Sequence, residues 1–183
     1  GMVVGNVQSG KTANYNGLVC KAADAGYKVI IVLAGLTNSL RNQTQSRLDD
    51  DFIGWCSGRD VKSGAAVFDD SRRPVSFTTS INDFKKTIAN NIGADLKAFN
   101  EPVVLVIKKH RSTMENLYDW LDKNNKHKLK DFPMLLIDDE ADHASINTKK
   151  NPEESTAINL AIRNLLSLFS RSSFGTMLQV SVG

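Results

Sequence analysis

The segment GNVQSGKT, residues 5–12, constrains the fold more than any other part of the 183-residue chain. It matches G-x-x-x-x-G-K-[ST], a loop whose backbone N–H groups wrap a phosphate between a strand and a helix. We expect Lys11 to reach the β- and γ-phosphates and the Thr12 hydroxyl to bind Mg²⁺, while Gly5 and Gly10 permit close approach of the ligand. The predicted nucleotide contacts are Gly5, Gln8, Ser9, Gly10, Lys11 and Thr12.

The residues on either side of this motif predict the strand and the helix that it requires. Met2–Val4 is a short apolar run of the kind that ends a buried strand. Thr12–Ala25 is rich in helix-forming residues, and the following Gly26 suits the position just past a helix C-terminus. A glycine turn that binds nothing is the alternative, and the agreement between motif and flanks disfavours it.

The composition is that of an ordinary globular domain, with 41% hydrophobic and 23% charged residues. The length suits one domain over residues 1–183. No stretch approaches the ~20 apolar residues of a membrane span, no secretory signal pattern occurs, and Cys20 and Cys56 lack metal-ligand spacing. We therefore expect a cytoplasmic protein without a membrane partner. Its net charge of +3 is compatible with nucleic acid but does not require it.

Apolar runs alternate with helical patterns, which predicts an α/β fold with a mostly parallel sheet flanked by helices in three layers. The predicted strands are Met2–Val4, Lys28–Ala34, Val75–Thr78, Val103–Ile107, Met134–Asp138 and Thr176–Val182. The predicted helices are Thr12–Ala25, Ser39–Asp49, Ile81–Asn91 with Ser80 as its N-cap, Thr113–Lys123 and Ser155–Phe169. Residues 51–73 have weak periodicity and several glycines, which indicates a loop excursion.

A strand that ends in carboxylates supplies the partner that a phosphate loop needs. The apolar residues 134–137 are followed by Asp138, Asp139 and Glu140. In a parallel sheet, this strand lies near the phosphate-loop strand and ends at the same crevice. We expect Asp139 to hold Mg²⁺ and Glu140 to orient water or accept its proton. Asp138 is the alternative metal ligand because the register is open, and an acidic helix start without a ligand is the competing interpretation.

Several phrases of the sequence resemble a known family. Asp139-Glu140-Ala141-Asp142 spells motif II of superfamily 2 helicases of the DEAD-box type, LTNSLRNQ (36–43) resembles motif Ia, and SFTT (76–79) resembles the motif Ib region. More closely, GNVQSGKTANY, KAADAGYKVIIVLAGLTNSLRNQTQSRLD and LLIDDEADHASIN together resemble the Z1 domain. That domain occurs in bacterial helicase-like proteins described as Z1-domain endonucleases and linked to restriction or defence. The resemblance covers essentially the whole chain.

The resemblance implies the first RecA-like motor lobe of a P-loop ATPase that uses ATP and Mg²⁺, with Lys11, Asp139 and Glu140 as catalytic residues. It also implies DNA as a partner, and a second RecA-like lobe and a nuclease domain in the same parent chain. The chain starts and stops within apparent strands, and motif III is cut or replaced at Gln179-Val180-Ser181, so we expect a piece of a longer protein. Without the arginines of the second lobe, we expect weak Mg-ATP binding and very slow or no hydrolysis.

Loops after the C-terminal ends of the predicted strands offer a row of phosphate donors on one rim. We expect this rim to grip a sugar–phosphate backbone without reading its sequence, and solvated loop ends are the alternative. The candidates are Thr37, Asn38, Arg41, Thr78, Thr79, Lys108, Lys109 and Arg111. The lysine-rich run at 123–130 precedes a strand, so we expect it at the opposite edge of the sheet.

Two other functions remain open from the sequence. The chain could be a nucleotide-gated switch that acts on a protein partner without translocating on nucleic acid. It could also be a degenerate scaffold, against which the intact Lys11, Thr12 and Glu140 argue. No nuclease motif is found: the nearest match, Asp95-Leu96-Lys97, lacks a fitting acidic partner.

Overall fold

The structure, a computed structural model, describes residues 2–6, 11–125, 127–139 and 152–180. Its strands are β1 (Met2–Asn6), β2 (Val29–Ala34), β3 (Trp55–Cys56), β4 (Val61–Lys62), β5 (Val75–Ser76), β6 (Val103–Lys108), β7 (Pro133–Asp139) and β8 (Arg171–Val180). Six of them form one sheet in the order β1-β8-β7-β2-β6-β5, and all neighbouring pairs in it are parallel. β3 and β4 form a separate antiparallel pair.

Helices connect these strands. The α-helices in the described residues are α1 (Lys11–Asp24), α2 (Asn38–Leu48), α3 (Lys86–Ile92), α4 (Arg111–Asn125) and α5 (Pro152–Ser167). α2 continues into a π-helical turn at Asp49–Ile53. Short 3-10 turns occur at Gly64–Val67, Leu96–Ala98 and Leu129–Asp131. No helix within these ranges is long and apolar enough to cross a bilayer.

Each face of the sheet packs against its own layer of helices. α4 contributes Met114 and Leu117 to the core on one face, where α3 and α5 also pack. α1 contributes Val19 and Ala22, and α2 contributes Leu48, to the core on the other face. Every residue of β2 is buried, as expected for a strand covered on both sides. The predicted α/β class, with a mostly parallel sheet between helical layers, is confirmed.

The pleat of β7 divides its side chains between these two cores. Met134 and Leu136 pack on the side of α4 and α5. Leu135 and Ile137 pack on the side of α1 and α2. Successive side chains of a strand point to opposite faces, so the two acidic residues at the end of β7 face different helical layers.

The N-terminal half of the helix predicted at Ile81–Asn91 is wrong, because α3 begins at Lys86. Ser80, the predicted N-cap, instead donates its N–H to the hydroxyl of Ser57. The hydroxyl of Thr79 accepts the N–H groups two and three residues further on. Such side-chain bonds offer the backbone an alternative to a helix, and they explain why the helix starts late.

Two strands also differ from their predicted lengths. β5 ends at Ser76, and the hydroxyl of Thr78 accepts the N–H of Val106 in place of a backbone carbonyl. β8 begins at Arg171 rather than Thr176 because its polar first residues pair in register with β7. The other described helices and strands differ from the predicted bounds by a few residues at most, and the excursion at residues 51–73 contains the small β3–β4 pair.

Two glycines, one within α1 and one within the excursion at residues 51–73, give a matched test of this fold. Gly64 has φ +54, and an added Cβ would collide with the carbonyl oxygen of Asp50. We expect Gly64→Ala to lower the free energy of unfolding by about 1–3 kcal/mol. Gly17 lies in α1 with nothing within 4 Å of an added Cβ, so Gly17→Ala should raise it by about 0.5–1 kcal/mol. Urea denaturation measures both, and a stable Gly64→Ala variant would contradict the described turn.

Candidate functional site

The GNVQSGKT motif lies between a strand and a helix. Gly5 is in β1, and Lys11 and Thr12 are the first residues of α1. Outside the described residues lie Gln8, Ser9, Gly10 and Glu140. Gly26 lies just past the end of α1 at φ +85, as predicted. Tyr27 donates its N–H to the carbonyl of Ala22.

β8 separates the motif's strand from the carboxylate strand. β1 and β7 are therefore two positions apart, which corresponds to about 10 Å at the usual spacing of neighbouring strands. Gly5 is in register with Gln179 of β8, and Asp139 is in register with Met177. Both strands thus end at the same edge of the sheet, where open parallel sheets bind ligands.

Asp139 is on the face of the sheet that α1 and α2 cover, as the alternation from Leu135 and Ile137 requires. Its side chain is half-buried. The hydroxyl of Thr44, in the second turn of α2, donates to its Oδ2 at 3.5 Å. Asp139 is therefore the strand-end carboxylate that shares a face with α1, the helix that follows the GNVQSGKT segment.

Asp138 points to the opposite face and is bound to a lysine. Its two carboxylate oxygens accept hydrogen bonds from Nζ of Lys109 at 2.9 and 2.7 Å. The two side chains are only 6% and 2% exposed. The N–H of Lys109 donates to the carbonyls of Ala34 and Gly35, at the end of β2, at 3.0 and 3.2 Å. The lysine side chain thus spans from the end of β6, past β2, to β7.

The described residues hold no group of three or more His, Cys, Asp or Glu side chains that could bind a metal. Mg²⁺ in nucleotide sites uses only one or two carboxylates, together with phosphates and waters. The carboxylate of Asp139 is an oxygen donor of the kind that Mg²⁺ prefers.

Five of the eight predicted rim residues are accessible at the carboxyl edge. Thr37 caps α2, where its hydroxyl accepts an N–H of the first turn at 3.3 Å, and it is exposed together with Asn38 and Arg111. Thr79 and Lys108 are half-buried. These residues follow β2, β5 and β6, so the sheet brings them to one edge as predicted.

Arg41 departs from the prediction because it is only 1% exposed. Its guanidinium donates to the carbonyls of Val106 at 3.3 Å and Thr79 at 2.7 Å. Burial lowers the pKa of the guanidinium, and the nearby Asp83 and Asp49 partly oppose this. Arg41 therefore holds α2 against the loop after β5 and does not offer a donor at the surface.

Thr78 and Lys109 are internal as well. The Thr78 hydroxyl donates to Oε1 of Gln45 at 2.7 Å and accepts the N–H of Val106 at 2.9 Å. Gln45 in turn donates to the buried Asp49 at 2.8 Å. Contacts to a phosphate are therefore not supported for Arg41, Thr78 and Lys109, whose polar groups serve internal bonds. The candidate rim reduces to Thr37, Asn38, Thr79, Lys108 and Arg111.

Sequence reasoning missed the buried polar side of α2. The helix reads NSLRNQTQSRL and contains only two apolar residues. A helix with so little apolar surface that still packs against a sheet must bury polar groups, and here Arg41, Thr44 and Gln45 are buried. The missing apolar stripe was the signal that could have separated these side chains from surface contacts.

A scan of protein-family models, a search of the curated proteins and a search of the solved structures each found no match to this chain. The Z1 resemblance and the roles that it implies therefore stay predictions.

Thr78→Val tests the internal role of Thr78. The replacement keeps the side-chain shape but leaves the Val106 N–H and the Gln45 carbonyl without a buried partner, so we expect a loss of about 1–3 kcal/mol in the free energy of unfolding. Thr87→Val, at an exposed position of α3, is the matched control and should change stability little. Equal effects of the two replacements in urea denaturation would contradict the network.

Proposed function

We propose that this chain is a RecA-like P-loop lobe that binds ATP with Mg²⁺ and hydrolyses it within an intact parent protein. The observation that carries the proposal is the position of Asp139, at the carboxyl edge of a parallel sheet and on the face that α1 covers. A phosphate loop, the helix after it and a carboxylate at a nearby strand end are the parts that P-loop phosphoryl transfer uses. The α/β architecture described above supports this without distinguishing it from other nucleotide-binding sheets.

Each residue has a separate task in this proposal. Lys11 would neutralise the γ-phosphate, and Thr12 and Asp139 would hold Mg²⁺. When bound, Mg²⁺ neutralises charge that develops on the phosphate oxygens. The carboxylate of Glu140 would orient the attacking water and accept a proton from its O–H. Asp138 has no part in these steps because both of its oxygens bind Lys109.

We further propose that the lobe acts on DNA, within a bacterial restriction or defence protein that also carries a second RecA-like lobe and a nuclease domain. The phrases that resemble the Z1 domain support this, together with the accessible rim. ATP would close the two lobes around a strand held by its backbone, and hydrolysis would reopen them. The rim contacts would be Thr37, Asn38, Thr79, Lys108 and Arg111.

The second candidate is a nucleotide-gated switch that drives a protein partner without translocating on DNA. The burial of the predicted rim residues favours it. Two of the four cationic side chains predicted for the rim, those of Arg41 and Lys109, are internal, and so is Thr78. Stimulation of ATP hydrolysis by DNA separates the motor from the switch.

Binding of a fluorescent ATP analogue tests the nucleotide site directly. We expect Lys11→Ala to weaken binding by about tenfold or more, which is the effect of losing one charge-assisted hydrogen bond. Asp139→Asn should abolish the dependence of binding on Mg²⁺ while leaving metal-free binding in place. Lys123→Ala and Asp119→Asn, at exposed positions of α4, are the matched controls.

The outcome that counts against the site is a Lys11→Ala variant that binds the analogue as well as Lys123→Ala does. We expect this chain alone to hydrolyse ATP with a turnover number far below roughly one per second, the lower end of the range typical of kinases. Turnover at that rate would contradict the dependence on a second lobe.

Charge reversal tests the rim. Lys108→Glu with Arg111→Glu should weaken DNA binding and lower the slope of log affinity against log salt by about two, one unit for each lost phosphate contact. Lys123→Glu with Lys130→Glu makes an equal change in net charge in the lysine-rich run before β7, at the other edge of the sheet. This control should have a smaller effect. DNA titrations at several salt concentrations measure both slopes, and identical slopes would remove the rim as an interface.

A further inference from the structure

The ion pair between Lys109 and Asp138 is buried, and the proposed chemistry does not use it. A buried ion pair is weak grounds for stability, because apolar residues of similar volume often stabilise a protein as well. Asp138 directly precedes Asp139 in the chain, so the charges of the pair lie at the same end of β7 as Asp139.

Two consecutive carboxylates end this strand on opposite faces of the sheet. Their α-carbons are about 3.8 Å apart, as across any trans peptide. A divalent cation attracted by both would be drawn toward the face of α4 and α5, away from α1. The carboxylates themselves are farther apart than their α-carbons because they lie on opposite faces, but charges still interact across this distance in partly buried surroundings. An available carboxylate at Asp138 would therefore draw a cation away from Asp139.

We propose that Lys109 is a positioning residue that keeps Asp138 out of metal coordination, so that Asp139 alone offers its charge on the α1 face. This inference rests on the proposed function. Nζ of Lys109 contacts both oxygens of Asp138, which occupies the positions that a metal would need. The backbone of Lys109 is held in place because its N–H is bonded to the end of β2, and its ammonium pairs with Asp138.

Three variants change the charge beside Asp139 in steps. Lys109→Met removes the ammonium beside Asp138 and makes the local charge more negative by one. Asp138→Asn leaves the ammonium uncompensated and adds one positive charge. Lys109→Met combined with Asp138→Leu removes both charges and restores the balance. Lys128→Met is the matched control, because it removes the lysine of the more exposed pair with Asp95, far from β7's carboxyl end.

The first readout is Mn²⁺ binding without nucleotide, measured from the loss of the free Mn²⁺ signal in electron paramagnetic resonance. We expect Lys109→Met to bind Mn²⁺ at least about tenfold more tightly than the unchanged chain, since one unit charge is added nearby. Mn²⁺ should also raise its melting temperature, and EDTA should reverse this. The double variant should return Mn²⁺ affinity to that of the unchanged chain, and Lys128→Met should not alter it.

The second readout is the factor by which Mg²⁺ strengthens binding of the ATP analogue. Asp138→Asn should reduce this factor by about tenfold because its unpaired ammonium repels the cation, and the double variant should recover it. If the ion pair had only a structural role, the variants would differ in melting temperature but would all bind cations with the same affinity. If Lys109→Met does not fold, Asp138→Asn and the double variant still have different expected results: the first lowers the Mg²⁺ factor, and the second keeps that of the unchanged chain.

The inference is overturned if folded Lys109→Met and Asp138→Asn bind cations as the unchanged chain does, or if the double variant behaves like Lys109→Met. Failure of the proposed function looks different. In that case the unchanged chain binds no ATP analogue, while the order of Mn²⁺ affinities among the variants still holds.

Discussion

Consecutive side chains of β7 must point to opposite faces of the sheet, and helices cover both faces. This constraint determines how the end of the strand can be used. Leu135 and Ile137 lie in the core under α1 and α2, so Asp139 emerges on the same face as α1. Asp138 has to emerge on the other side, where an unpaired carboxylate would be costly. The buried ammonium of Lys109 offsets that cost, and of the two carboxylates at the end of β7 it is Asp139 that lies on the α1 face.

The same edge of the sheet contains a second polar cluster with a different task. Arg41, Gln45 and Asp49 lie on successive turns of α2 and the π-helical turn. Arg41 and Gln45 bond the loop after β5 and the middle of β6, and Asp49 accepts from Gln45. The hydroxyl of Thr78 completes β6's ladder in place of a backbone group. These bonds join α2, the loop after β5 and β6 at the edge where the accessible side chains of Thr37, Lys108 and Arg111 lie.

The sequence was sufficient to predict the βαβ order, most strand positions and the glycine end of α1, because continuous apolar runs and glycines act locally. It could not decide between Asp138 and Asp139, since the choice depends on which core each face of β7 joins. It also suggested Arg41 and Lys109 as surface cations, because a charged side chain is usually exposed. Their burial depends on partners 65 and 29 residues away, which no local pattern carries. The late start of α3 has a partly distant origin as well, because the N–H of Ser80 bonds the hydroxyl of Ser57, 23 residues away, while the Thr79 hydroxyl bonds N–H groups close by in the chain.

The most direct test of the account is where a bound cation sits. Nuclear magnetic resonance of the chain with Mn²⁺ and a non-hydrolysable ATP analogue would locate the paramagnetic centre from the amide signals that it broadens. We predict the strongest broadening of amide signals at Lys11, Thr12 and Asp139 and weaker broadening in the first turn of α4. Broadening centred on Lys109 and the start of α4, or none that depends on the analogue, would contradict it.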